Sequence, residues 1–166
     1  MTQSVNVLFV CLGNICRSPT AHGVFAQQVE RAGLAKQIQI DSCGTGDWHI
    51  GHAPDQRAAS KAAEYGYDLS ALRARQLAEL DFERFDIILA MDQQNLQDIK
   101  MQCPPSYAGV TDLFLRYAGI DEAHEVPDPY YGGEDGFDHV VQLVERGGAA
   151  LLDRLQEVQG WADRNR

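Results

Sequence analysis

The sequence predicts an α/β fold, with a central four-stranded parallel sheet between two helical layers in a three-layer α/β/α arrangement. Residues 5–10 form a short apolar run rich in β-branched side chains, as expected of a strand buried on both faces. Apolar residues at positions 21–32 then recur at the spacing of an amphipathic helix. Ile38 and Ile40 alternate with polar residues, which predicts a second strand and therefore a right-handed βαβ unit.

Two further apolar runs, at residues 85–90 and 110–114, supply the third and fourth strands. The alanine-rich segment 54–65 predicts a helix that ends at Gly66, and a short helix is expected near residues 79–84. Asp92 follows the third strand and is expected to cap a helix over residues 93–101.

The chain should end in one long amphipathic helix, because the apolar residues between 137 and 158 keep a helical spacing. Gly147 and Gly148 are expected to interrupt this helix, at a place where it packs closely against a neighbour. The sequence contains no internal repeat and no linker, so residues 1–166 are expected to form a single domain.

Composition excludes several classes of protein. A net charge of −10 disfavours nucleic acid as a partner, because binding to its backbone needs clustered Lys and Arg. No apolar run approaches the roughly 18 residues of a membrane span, and no signal peptide opens the chain, so a cytoplasmic protein is expected. The cysteines have neither a disulfide framework nor metal-binding spacing, and we expect no metal and no cofactor. They are Cys11, Cys16, Cys43 and Cys103.

The segment CLGNICRSP, residues 11–19, carries the clearest functional signal. Gly13 and Asn14 tolerate a left-handed backbone and lie between Cys11 and Arg17, and Ser18 with the following proline reads as a helix start. A tight loop before a helix N-terminus turns its N–H groups toward an anion, and a guanidinium matches two phosphate oxygens. The sequence therefore predicts a phosphate loop between the first strand and the first helix, at the carboxyl edge of the sheet.

The same surroundings would favour the thiolate form of Cys11, facing a bound phosphate. A buried core cysteine and a surface arginine would be the alternative, but the strand before the loop and the helix start after it disfavour that interpretation. The residues expected to bind the phosphate group around Cys11 and Arg17 are Leu12, Gly13, Asn14, Ile15, Cys16 and Ser18. Ser18 is also expected to donate a hydrogen bond to the sulfur.

CLGNICRSP resembles the phosphate loop of the low-molecular-weight protein tyrosine phosphatases. The segments DSCGTGDWHIG (41–51), FDIILAMDQQNL (85–96) and VPDPYYGG (126–133) resemble further landmarks of that family, in the same order. The resemblance implies hydrolysis of phosphotyrosine in proteins, without metal, through a phosphocysteine intermediate on Cys11. It implies phosphotyrosine proteins as substrates, with a bacterial tyrosine kinase as one candidate, phosphate as product inhibitor, and a monomer or weak dimer.

Asp128 lies between two prolines and reads either as a turn residue or as a proton donor on a stiff loop. The resemblance assigns it the role of general acid and then base, with activity highest below neutral pH. An aromatic residue such as Trp48 could stack on a substrate ring, and the resemblance places it in the cleft opposite Tyr130 and Tyr131.

The resemblance also implies supporting contacts. Ser42 is expected to hydrogen-bond the side chain of Asn14, and Asp92 to orient Arg17, although a capping role alone would explain Asp92. Leu72 stands where many family members have a histidine that bonds the loop asparagine. Cys16 and Cys11 are expected to form a reversible disulfide on oxidation. The spacing of the five histidines indicates no ligand set, and His49 and His52 are expected on a solvated loop.

Three alternatives stay open at this point. An arsenate reductase would need two relay cysteines, and Cys43 and Cys103 lack that spacing. A phosphoarginine phosphatase would favour a small threonine where this chain has Ile15. A non-catalytic phosphotyrosine-binding module would not need Asp128.

Overall fold

A computed structural model of the chain describes residues 4–130 and 132–160. The elements in chain order are β1 (Val5–Cys11), α1 (Arg17–Arg31), β2 (Ile38–Gly44), α2 (Gln56–Glu64), α3 (Asp81–Arg84), β3 (Ile87–Ala90), α4 (Gln93–Gln102), β4 (Val110–Leu113), α5 (Phe114–Ala118) and α6 (Glu134–Gln159).

The four strands form one parallel sheet in the order β2-β1-β3-β4. Side chains of β1 alternate between its faces: Val7 and Phe9 pack in the core with α1, α5 and α6, while Leu8 and Val10 pack in the core with α3 and α4. The predicted three-layer α/β/α fold is therefore confirmed. Because β1 is central, its last residue, Cys11, lies at the carboxyl edge of the sheet, opposite Gly44 of β2.

The structure corrects two predictions about helices. Ser18 is not the N-cap of α1, because the helix already begins at Arg17 and Cys16 occupies the capping position. Helix α6 is not interrupted at its two glycines but continues for 26 residues. The expected close packing is present: a Cβ on Gly147 would lie 2.7 Å from Leu115 Cδ2.

Helix α5 was not predicted from the sequence. Its residues directly follow β4, so the apolar run 110–114 predicted a longer strand. Instead, the helix begins at Phe114, and Gly119, with a φ of +91°, caps its C-terminus. Within residues 4–130 and 132–160, no helix combines the length and apolar character needed to cross a bilayer.

Candidate active site

The loop between β1 and α1 folds around the sulfur of Cys11. Asn14 has a φ of 57°, in the left-handed region, and its backbone N–H points at Cys11 Sγ over 3.3 Å. The Asn14 side chain is held at both ends: Nδ2 donates to Ser18 Oγ at 2.8 Å, and Oδ1 accepts from the Arg75 N–H at 3.0 Å. These bonds fix an otherwise unfavourable backbone conformation.

Cys11 and Ser18 are in direct contact. The Ser18 Oγ lies 3.0 Å from Cys11 Sγ and 3.3 Å from the Cys43 carbonyl oxygen. Cys11 is only 2% exposed, so its sulfur is reached from one side, through the cavity. A hydroxyl at this distance can donate to a thiolate and stabilise its charge.

Arg17 is almost fully buried and held in one orientation. Its NH1 donates to Asp92 Oδ2 at 2.6 Å and to the Val126 carbonyl oxygen at 3.0 Å. Burial alone would lower the pKa of Arg17, but the charge of Cys11 and the hydrogen bond to Asp92 outweigh it, so the pKa is raised. The guanidinium is therefore a permanent, preoriented cation. Asp92 also caps α4 by accepting the Asn95 N–H at 2.8 Å.

Asp128 is held in a turn and faces Arg17. One carboxylate oxygen accepts the Tyr130 N–H at 3.0 Å, which forms a tight turn, and the other lies 3.6 Å from Arg17 NH2. The side chain keeps 42% of its surface exposed, so it can exchange protons with solvent.

A cavity of about 390 Å³ opens above the loop. It is lined by Cys11, Leu12, Gly13, Ile15, Cys16, Arg17, Trp48, His49, Asp128 and Tyr130. The volume falls in the ordinary range for a small-molecule site. Trp48 is 64% exposed at the mouth. Asn14 and Ser18 support the loop from below instead of lining the cavity, and Tyr131 lies outside the described residues.

Ser42 does not make the expected contact with Asn14. Its hydroxyl pairs with His22 Nδ1 at 3.1 Å, and the loop asparagine is bonded by Ser18 and Arg75. With leucine at position 72, the backbone N–H of Arg75 donates to the loop asparagine instead.

Two supporting residues were missed by the sequence reasoning. Arg75 presents its backbone N–H to Asn14 because its side chain is anchored by Asp41 and by a bidentate contact with Asp81. His22 lies on α1 at the spacing of a buried position, and burial lowers its pKa, so it is neutral at pH 7. His22 is only partly buried, and no local pattern in the sequence indicates its partner.

A buried thiol that accepts a loop N–H, beside a fixed guanidinium and a carboxylate, is the arrangement expected of a cysteine-dependent phosphatase. Residues 6–160 match the family model described as low molecular weight phosphotyrosine protein phosphatase. The chain therefore belongs to the low molecular weight phosphotyrosine protein phosphatase family.

Individual relatives agree with this assignment. The chain is 48% identical to a low molecular weight phosphotyrosine protein phosphatase of Schizosaccharomyces pombe over 147 residues, covering 87% of this chain and 94% of the relative. It superposes on a protein tyrosine phosphatase of Entamoeba histolytica with a TM-score of 0.89 and 36% identity, covering 94% and 99% of the two chains. For YfkJ of Bacillus subtilis the TM-score is 0.87 at 36% identity, with 94% and 97% covered.

Proposed function

We propose that this chain hydrolyses phosphotyrosine in proteins through a phosphocysteine on Cys11. The observation that carries the proposal is the convergence of Cys11, Arg17 and Asp128 on one cavity. A thiol nucleophile, an oriented cation and a proton donor are the three groups that phosphoryl transfer from a phenol to sulfur requires.

In the first step, Cys11 Sγ attacks the phosphorus atom in line with the departing tyrosine oxygen. The loop N–H groups and the Arg17 guanidinium stabilise charge on the three equatorial oxygens. Phenol has a pKa of about 10, so tyrosine leaves poorly as phenoxide, and Asp128 protonates its oxygen as the P–O bond breaks.

In the second step, Asp128 is a carboxylate and accepts a proton from water as that water attacks phosphorus. The P–S bond breaks and Cys11 leaves as thiolate. Ser18, 3.0 Å from the sulfur, stabilises the departing thiolate with a hydrogen bond. Because the acid must be protonated when phosphate arrives, activity should be highest below neutral pH.

The walls of the cavity favour a flat aromatic substrate. Trp48 and Tyr130 line the entrance and Ile15 fills part of the interior, so a planar ring gains more apolar contact than a flexible guanidino group. Arsenate reduction is disfavoured further by Cys43, which is fully buried and whose pKa burial raises well above the usual range. Because Cys43 is fully buried and does not line the cavity, it cannot pass a disulfide from the loop to the surface.

We infer a single domain over residues 1–166, supported by one sheet whose two faces are both covered by helices. The proposed substrate is a phosphotyrosine protein in the cytoplasm, such as a bacterial tyrosine kinase. Inorganic phosphate is the proposed product inhibitor. The proposed oligomeric state is a monomer or weak dimer. All four cysteines, each within the described part of the chain, are free thiols, which suits a reducing compartment.

We also propose that oxidised Cys11 is rescued by Cys16. Cys16 lies in the same loop as Cys11 and lines the same cavity, so its sulfur can attack a sulfenic acid that peroxide forms on Cys11. The S–S bond forms as the sulfenic hydroxyl leaves with the Cys16 proton as water. Peptide mapping after peroxide treatment should find the Cys11–Cys16 crosslink, and its absence would contradict this step.

The substrate class is tested by steady-state hydrolysis of phosphotyrosine, phosphoserine and phosphoarginine peptides across about pH 4–9 without added metal. We expect phosphotyrosine to be preferred, no turnover by Cys11→Ser, and loss of the acidic optimum in Asp128→Asn. Tight binding without turnover by the unmodified chain would identify a non-catalytic phosphotyrosine-binding module. A preference for phosphoarginine would contradict the proposal that Ile15 favours a planar aromatic substrate.

A further inference from the structure

Two histidines form a pair at the mouth of the cavity. The N–H of His52 donates to the carbonyl oxygen of His49 at 2.8 Å, which closes a turn. Gly51 allows this turn with a φ of +85°. The turn brings the two Nδ1 atoms within 3.3 Å of each other, with the rings tilted by 53°.

This separation matches two ligands of one metal ion. Zinc–imidazole bonds are about 2.0–2.1 Å long, so two nitrogens 3.3 Å apart subtend an angle of about 107° at a shared ion, close to the tetrahedral value. Neutral imidazoles with the proton on Nε2 leave both Nδ1 lone pairs available for a divalent cation. Without an ion, the same pair shares one proton in a hydrogen bond.

The position of the pair gives an ion access to solvent and to the cavity. His52 is exposed, whereas His49 is partly buried and lines the cavity with Cys11 and Trp48. His49 also rests on the phosphate loop, since a Cβ on Gly13 would lie 2.9 Å from His49 Cδ2. An ion held by both rings would therefore stand where a substrate enters.

Residues 4–130 and 132–160 contain no group of three or more His, Cys, Asp or Glu side chains arranged to hold a metal. Two imidazoles alone leave positions on the ion for water, which is the condition of an exchangeable site and not of a closed structural one. The pair thus fits a reversible regulatory ion better than a permanent one.

We propose that His49 and His52 form a two-histidine site for a divalent ion of the zinc class, and that its occupancy inhibits substrate hydrolysis. The bound ion with its waters narrows the entrance and immobilises the turn that follows Trp48. The inhibitory part rests on the proposed phosphatase function, whereas metal binding does not.

Binding is tested by calorimetric titration of the chain with Zn²⁺, and with Co²⁺ to report tetrahedral coordination by visible absorption. The Cys11→Ser background removes the competing thiolate. We expect one ion per chain, and an affinity lowered about tenfold or more by either His49→Gln or His52→Gln. His124→Gln is the matched control, because His124 is an exposed histidine outside the cavity, and it should bind like the parent. Unchanged affinity in both histidine variants, or binding that disappears with Cys11→Ser alone, would overturn the site.

Inhibition is tested with His52→Gln, since His52 does not line the cavity. The Zn²⁺ concentration for half-inhibition should rise about tenfold or more relative to the parent and to His124→Gln. Equal inhibition of all three proteins would overturn the regulatory role. A parent without phosphatase activity would instead contradict the proposed function, and the calorimetric result would still decide whether the metal site exists.

Discussion

At the residue scale, Asn14 holds the phosphate loop in shape. The left-handed φ of 57° costs asparagine less than most side chains, and its two side-chain hydrogen bonds hold the residue in that conformation. The loop conformation therefore depends on one amide group that never lines the cavity. Ser18 also supports the loop conformation, because its hydroxyl contacts both the Asn14 side chain and the Cys11 sulfur.

Replacing Asn14 by Ala should lower kcat about ten- to hundredfold, because the loop N–H groups lose their alignment with phosphate. Unfolding free energy should fall by about 1–3 kcal/mol. Asn14→Gly is the matched control, since it removes the backbone strain and still lacks the amide. Full activity in Asn14→Gly would contradict the role of the hydrogen bonds.

Asp92 accepts a hydrogen bond from Arg17 and caps α4, and two variants separate these two contacts. Asp92→Asn keeps an oxygen for the Asn95 N–H but places an amide beside Arg17, so kcat should fall about ten- to hundredfold with little change in Tm. Asp92→Ala should also lose the cap, at a cost of about 0.5–2 kcal/mol in urea unfolding. Equal kcat in Asp92→Asn and the parent would show that Asp92 only caps α4.

At the element scale, β1 and the phosphate loop could be predicted because each depends on residues that are adjacent in the sequence. A buried strand shows as an apolar run, and the loop shows as residues with special backbone preferences between a cysteine and an arginine. The His22–Ser42 contact and the support of Asn14 by Arg75 could not be predicted, because they join residues 20 and 61 positions apart. Helix α5 was missed because its apolar residues continue those of β4.

Helix α6 packs closely on α5 at Gly147, and a substitution there tests this close contact. A methyl group at this position would lie 2.7 Å from Leu115 Cδ2 and 2.8 Å from Phe114 Cζ. We expect Gly147→Ala to lower unfolding free energy by about 1–3 kcal/mol despite the higher helix propensity of Ala. Gly148→Ala is the control, because its new methyl meets the end of Gln28, which can move. A stabilised Gly147→Ala variant would contradict the close packing.

At the scale of the whole molecule, an acidic chain carries the buried guanidinium of Arg17 at the carboxyl edge of its sheet. The net charge of −10 gives the surface little attraction for phosphate, so we expect the loop and Arg17 to supply phosphate binding locally. Helical layers pack on both faces of the sheet that ends at this edge. The whole fold thus serves to place one sulfur, one guanidinium and one carboxylate around the same space.

The stability of the whole molecule should depend on pH through His22. Burial lowers its pKa, Asp41 opposes this effect and Arg75 adds to it. In the unfolded chain the pKa of histidine is about 6.5, and below that pH the unfolded chain binds a proton that native His22 does not. The free energy of unfolding therefore falls as the pH is lowered, until the lower pKa of native His22 is reached. Urea unfolding between about pH 5 and 8 should show this loss in the parent and a smaller slope in His22→Gln. The same pH dependence of the unfolding free energy in the parent and in His22→Gln would contradict this role of His22.

The most direct test of the central claim is to trap the covalent intermediate. Asp128→Asn mixed with p-nitrophenyl phosphate, whose leaving group needs no acid, should form the intermediate and hydrolyse it slowly. Acid quenching and peptide mass spectrometry should then find one phosphoryl group on Cys11, and none in Asp128→Asn combined with Cys11→Ser. Release of nitrophenol with no phosphoryl group on Cys11, or with the group on another residue, would contradict the proposed mechanism.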